Sequence, residues 1–184
     1  MQNKVNLRNT LLAARNALAP GVRVHNDFAI GRQVIDWLIT HPVKTLGVYW
    51  PIRNEPDLHS IYPDIAARGV QLALPVVVAK EAPLQFLAWT PGDELAKDRM
   101  SIPIPVPSSV QVQPDAVLVP CVGFNAAMIR LGYGKGFYDR TLAITPRPAT
   151  IGIAYAFSEV VFDGASHDVA LDVVITESAI LSAM

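Results

Sequence analysis

Residues 116–141, AVLVPCVGFNAAMIRLGYGKGFYDRT, hold the stretch whose reading decides the fold. Its first five residues are apolar, rich in valine and closed by Pro120, which predicts a short buried strand. A loop follows, and then Gly132, Gly134 and Gly136 alternate. The spacing behind them predicts a helix over 137–144. Glycine at every second position lets a backbone approach a ligand closely and turn its N–H groups to one side. Arg130 and Lys135 lie within the glycine run, and Phe137, Tyr138, Asp139 and Arg140 follow it directly. Cations beside glycines, with a helix starting behind, suit a phosphate cradle. Read as bare chain, the same residues are a flexible turn with helix-start charges at Asp139 and Arg140. That reading leaves the glycines and Lys135 without a purpose.

Known phosphate loops do not fit. Lys135 is followed by Gly136 rather than Ser or Thr, so this is not a P-loop. The glycines read G-x-G-x-G and the first core strand lies elsewhere, so it is not a dinucleotide fingerprint either. Arg130 suits forked contact with phosphate oxygens, and Lys135 supplies a mobile point charge. Asp139 has the place of a Mg²⁺ ligand, an ion that takes one or two carboxylates together with phosphate oxygens and water.

Outward from this stretch, the chain alternates between the two periods. Residues 4–19 form an amphipathic helix, with Leu7, Leu11, Ala14 and Leu18 on one face and Pro20-Gly21 as its stop. Lys4, Arg8 and Arg15 share another face, which is either solvated or aimed at an anion; nothing in the helix itself decides. A second helix is predicted over 24–40, ended by His41-Pro42. Residues 45–50, TLGVYW, read as the first core strand. The following loop puts Trp50 and Glu55 at a strand's C-terminal end, where open α/β sheets gather ligands. Equally, Trp50 could be a core aromatic and Glu55 a helix-entry charge. Residues 57–68 read as a short helix capped by Gly69. Further strands are predicted at 70–79, broken by Pro75, and at 84–89, 150–155 and 171–176. The alternating prolines of 101–107, SIPIPVP, make an extended strap that cannot be a central strand; it is a linker or a cover over a site. Strands and helices alternating along the chain predict a three-layer α/β/α sandwich, Rossmann-like, with a largely parallel central sheet.

Composition bounds the function. At 184 residues, 51% of them hydrophobic, the chain is one domain with ample core, not a disordered protein. Fifteen Lys and Arg against sixteen Asp and Glu give a net charge of −1, without the basic footprint of a nucleic-acid binder. A lone Cys121 forms no internal disulfide and agrees with a reducing compartment. The first twenty residues are too polar for a secretory signal, and no apolar run reaches a membrane span of roughly 18 residues. A cytoplasmic protein, monomer or weak dimer, is expected. No Ser–His–Asp, Cys–His or zinc spacing is present.

The segment VPCVGFNAAMIRLGYGKGFYDR resembles the signature of the 5-formyltetrahydrofolate cyclo-ligase family, where P-G-x-x-F-D leads into R-L-G-x-G-x-G-[FY]-Y-D. The likeness runs along nearly the whole chain. The family's K-x-x-x-R is matched by Lys4 to Arg8, its strand with an acid five residues on by Trp50 to Glu55, and its H-D-x-x-x-D by His167, Asp168 and Asp172. Two positions depart: Cys121 stands for a usual Gly, and Asn125 for a usual Asp. Cys121 reads as a packing substitute or as a free thiol near the site. Asn125 can still hold a loop by accepting backbone N–H bonds, but would weaken magnesium binding if the usual Asp assists the metal.

The resemblance implies ATP-dependent cyclisation of 5-formyltetrahydrofolate to 5,10-methenyltetrahydrofolate, with ADP and phosphate released. It implies that Lys4, Arg8 and the loop Arg130, Leu131, Gly132, Tyr133, Gly134, Lys135, Gly136, Phe137 and Tyr138 bind ATP, with Arg130 and Lys135 catalytic. Asp139 and Asp168 would hold Mg²⁺. Trp50, Glu55, Tyr133 and Phe137 would form the reduced-folate pocket. Two other classes remain open at this point: a relative with the same loop and another substrate, and a non-catalytic folate- or nucleotide-binding protein.

Overall fold

The computed structural model describes residues 4–165 and 168–183. Helix α1 spans Lys4–Ala17 and α2 spans Pro20–Thr40. Pro20 therefore opens the second helix instead of merely stopping the first. Its missing N–H and fixed φ suit a first helical position. Strand β1 is Thr45–Gly47, α3 is Tyr62–Ala67 and β2 is Gln71–Val76. Four further strands follow with no helix among them: β3 (Gln85–Trp89), β4 (Leu95–Lys97), β5 (Pro103–Pro105) and β6 (Gln111–Val112). The expected alternation of strand and helix fails here. Next come β7 (Ala116–Pro120), β8 (Gly123–Phe124), β9 (Arg130–Leu131) and α4 (Phe137–Leu142). The chain ends with β10 (Ala149–Ile153), β11 (Val173–Ile175) and β12 (Ile180–Ser182).

Eight strands form the main sheet in the order β12-β11-β10-β7-β1-β2-β3-β6. The five at its centre, β11 to β2, are parallel, and the outer pairs are antiparallel. β7 shows why AVLVP is a central strand. All five residues are buried, with Val117 and Val119 on one face of the sheet and Ala116 and Leu118 on the other. The second of these faces is covered by α2 and α3, through Ile30, Val34, Trp37, Tyr62 and Ile65. The first is covered by α4, through Leu142, Phe137 and Tyr138. The architecture is a three-layer α/β sandwich. Pro75 lies inside β2 rather than breaking it, because β1 pairs only as far as Ala73 and leaves that side of Pro75 without a sheet partner.

In the parallel core, chain order β1, β2, β7, β10, β11 becomes spatial order β2-β1-β7-β10-β11. The chain leaves β1 to one side and returns on the other. That reversal opens a crevice beyond the C-terminal ends of β1 and β7, the place where such sheets take ligands. The proline strap does not enter the main sheet. Its β5 pairs with β4 as a separate ribbon lying against β2 and β3.

Candidate active site at the strand switch point

Two cavities open at this crevice and share a wall. The first is mostly apolar and aromatic. It is lined by Tyr49, Trp50, Ile52 and Glu55 from the segment after β1, by Tyr133, Phe137 and Tyr138 from the glycine loop and α4, and by Asp98, Met100, Ile102 and Pro103 from the strap, taken together with the turn of residues 98–100 that leads into it. The second is lined by Lys4, Arg8, Leu131, Gly132, Gly134, Asp139, Arg140 and Asp168. Arg130, Lys135 and Gly136 border both.

The local conformation of the glycine loop follows from what crosses it. A Cβ at Gly132 would lie 2.3 Å from Arg130 Nη1, so any side chain there would displace the guanidinium. Arg8 Nε donates to the Gly132 carbonyl at 2.6 Å, which ties α1 to the loop. Gly134 has φ +86°, a left-handed conformation that side chains disfavour. Arg130 reaches the wall through a small hairpin where a plain loop is expected: β8 pairs with β9, and the turn between them is built on Asn125. Asn125 Oδ1 accepts from the amides of Ala127 at 3.1 Å and Ile129 at 2.9 Å. Its Nδ2 donates to the Phe162 carbonyl at 2.9 Å, a bond that aspartate cannot make. Asn125 borders neither cavity.

Two ion pairs line the second cavity. Lys4 Nζ lies 3.0 Å from Asp168, and Arg130 Nη2 lies 3.3 Å from Asp139. Arg130 is 9% exposed and its Nε is buried without a partner among the described residues. Its guanidinium also lies over the Tyr138 ring, 5.2 Å from the centroid. Lys135 is exposed and approaches Met100 Sδ at 3.5 Å, so the strap reaches across to the glycine loop. His167 lies outside the described residues. Asp172 binds the amide and hydroxyl of Thr150 and the side chain of Arg147 and borders neither cavity.

Glu55 is the one buried acid of the first cavity, only 3% exposed. It sits after two consecutive left-handed residues, Arg53 at φ 49° and Asn54 at φ 58°. Burial pushes its carboxyl above the usual range, while bonds from the Ile52 amide and the Tyr133 hydroxyl pull it back. Trp50 meets His59 edge-on, with ring centroids 4.2 Å apart, and lines the cavity with its remaining surface. Cys121 is fully buried, and burial raises its thiol to about 11. It is therefore a protonated packing residue, with its Sγ against Gly152.

Of the three cations sharing a face of α1, only Lys4 and Arg8 border the second cavity. Arg15 is turned inward and buried at 1% exposure, bonded to Tyr133 and to the Cys121 carbonyl. Sequence reasoning missed Arg140 as a cavity-lining group, although its place after the loop was a signal. It left the strap as either a linker or a cover, because nothing local marks where the strap docks; the strap lines the aromatic cavity.

Fold and site together define a doubly wound α/β protein that brings a cation-lined cleft and an aromatic cleft to one wall. The model of the 5-formyltetrahydrofolate cyclo-ligase family matches residues 1–177. The 5-formyltetrahydrofolate cyclo-ligase of Mycoplasma pneumoniae is 30% identical over 174 residues, 93% of this chain and 96% of that one. A solved 5,10-methenyltetrahydrofolate synthetase from the same organism superposes with a TM-score of 0.81 at 28% identity, covering 96% of this chain and 99% of that one. That of Aquifex aeolicus superposes at 0.79 and 29% identity, covering 97% and 92%. The chain belongs to the 5-formyltetrahydrofolate cyclo-ligase family.

Proposed function

We propose that this chain catalyses the reaction its family is named for, the ATP-dependent closure of 5-formyltetrahydrofolate to 5,10-methenyltetrahydrofolate. The observation that carries the proposal is the shared wall of Arg130, Lys135 and Gly136 between the aromatic and the cation-lined cavities. The chemistry needs such a wall. A formamide oxygen is a poor leaving group until it carries phosphate. As that oxygen attacks the γ-phosphorus, ADP departs, and the lone pair of the formyl-bearing nitrogen makes an iminium phosphate. The bridge nitrogen then attacks the iminium carbon and loses its proton. The C–O bond breaks, its electrons leave with phosphate, and the methenyl cation remains. Such a reaction asks for positioning and charge neutralisation rather than a protein nucleophile.

In this reading Lys4, Arg8 and the loop from Arg130 through Gly136 bind the triphosphate. Lys135 neutralises the transferring phosphoryl group, and Arg130 bridges the two substrates. Trp50, Tyr133, Phe137 and Tyr138 pack against the pterin, whose N–H groups donate to Glu55. The side chains of Tyr133, Phe137 and Tyr138 are assigned to the folate because they border the aromatic cavity alone.

Asp139 and Asp168 both border the cationic cavity, and among the described residues no group of three His, Cys, Asp or Glu comes together. Two hard oxygen donors without a complete cage fit Mg²⁺ that arrives on a nucleotide. When bound, the ion would neutralise charge on the phosphates. Among the described residues no helix is long and apolar enough to cross a membrane. We assign residues 1–184 to one domain acting in the cytoplasm as a monomer or weak dimer; the lone, buried Cys121 supports that compartment.

Near-ultraviolet detection of methenyl product, with and without ATP and Mg²⁺, tests the reading. ATP-dependent product is expected. Folate binding without product would make it a binding protein, and no folate binding would point to another substrate.

A further inference from the structure

Arg15 is a fully buried cation that borders neither cavity. A charge taken out of water at that depth is costly unless its donors are matched. Its Nη1 donates to Tyr133 Oη at 3.1 Å, and its Nη2 donates to the Cys121 carbonyl. A guanidinium only donates, so the Tyr133 oxygen must accept from it. The single phenolic hydrogen is then left for the other neighbour, Glu55 Oε1, at 2.8 Å. Glu55 Oε2 accepts from the Ile52 amide at 2.9 Å. Each carboxylate oxygen thus has one lone pair held by the protein and another free to accept. Together they make a two-acceptor fork beside the aromatic rings.

We propose that Arg15 is a positioning residue for the reduced folate: by locking the Tyr133 hydroxyl as a donor to Glu55, it holds that carboxylate as a fork for the substrate's amino-pyrimidine edge. The proposal rests on the reading of Glu55 as the acceptor of the pterin N–H groups. An ionised Glu55 is the form such a fork requires. Burial disfavours it, while the Ile52 amide, the Tyr133 hydroxyl and the charges of Arg15 and Arg130 favour it. Tyr49, Tyr62, Tyr138 and Cys121 lie within electrostatic reach of this carboxylate, and burial raises all four, so they stay neutral near pH 7. Asp98 and Lys135 line the same cavity from the strap and the glycine loop.

The test is steady-state kinetics across pH for the parent, R15M, R15K, Y133F, E55Q and the R15M/Y133F double variant. R15M should raise KM for 5-formyltetrahydrofolate about tenfold, the scale of one hydrogen bond to a charged group. KM for ATP and kcat at saturation should change little. The pH above which the folate KM levels off should move upward, because the ionised carboxylate has lost support. R15K should recover part of the loss, and the double variant should be no worse than Y133F alone. If R15M does not fold, R15K combined with Y133F supplies the same cycle. Additive losses, equal rises in both KM values or an unmoved pH profile would overturn the proposal. An E55Q variant with unchanged folate KM would instead sink the assignment of Glu55 itself. E55Q impaired while R15M and Y133F are not would sink the relay alone.

Discussion

Lys135 is the residue at which the phosphoryl-transfer reading is most exposed to test. It has no carboxylate partner among the described residues and borders both cavities, so its charge is available to a ligand. Lys135→Ala should lower kcat by roughly 10²–10³, the usual loss on removing one transition-state contact, while the folate KM stays nearly unchanged; equal loss of both would contradict the role. Glu55 carries a different signature. Its raised carboxyl means that the folded chain holds the proton more tightly than the unfolded chain does. Its burial therefore costs nothing extra in acid and destabilises increasingly as pH rises above the ordinary value of 4.5. Glu55→Gln carries no such proton, so denaturation curves should show the variant gaining on the parent between acid and neutral pH. Asn125 departs from the family's usual Asp but spends its oxygen on two backbone amides and its nitrogen on Phe162. Asn125→Asp should cost about 1 kcal/mol of stability, the worth of one hydrogen bond, and leave the Mg²⁺ dependence of turnover unchanged.

β7 is the element on which the others depend. It is buried along its length, pairs with β1 and β10, and delivers the chain to the β8–β9 hairpin that carries Arg130. Leu118 is fully buried beneath α2 and α3. Leu118→Ala should destabilise the fold by about 2–5 kcal/mol, readable as a lower midpoint in urea. Activity measured under folding conditions should survive, because the lost contacts lie on the face covered by α2 and α3, opposite to α4 and the glycine loop. α1 plays the opposite part. Its apolar stripe, Leu7 and Leu11, packs on Val122 and Leu131 and so carries Lys4 and Arg8 to the loop. The strap adds a third wall to the aromatic cavity and touches Lys135 through Met100.

For the whole molecule, ligand binding should couple the first helix to the sheet. Nucleotide at 100 times its Kd should raise the unfolding free energy by about 2.7 kcal/mol. Replacing Lys4 and Arg8 by Ala should shrink that shift and leave the shift caused by reduced folate in place, as thermal melts would show. Much of this organisation was readable in the chain itself. The valine-rich run of β7, the glycines of 132–136 and the periods of α1 and α2 are local signals, set by side-chain chemistry at short spacing. They were enough to read an α/β sandwich and a phosphate loop, whereas only the family resemblance put Lys4, Arg8, Trp50 and Glu55 around it. Other features depend on contacts between residues far apart in the chain, which no local spacing encodes. Arg15 lies within the same arc of helix as Lys4 and Arg8, yet only packing against residues more than a hundred positions away turns it inward. Strands β4 to β6, the docking of the strap and the pairing of β8 with β9 were likewise settled in three dimensions. So was the wall itself. The 130–136 loop could be read as a phosphate cradle from its sequence, but the aromatic cavity beside it exists only because β1 and β7 lie side by side and bring residues 49–55 against it.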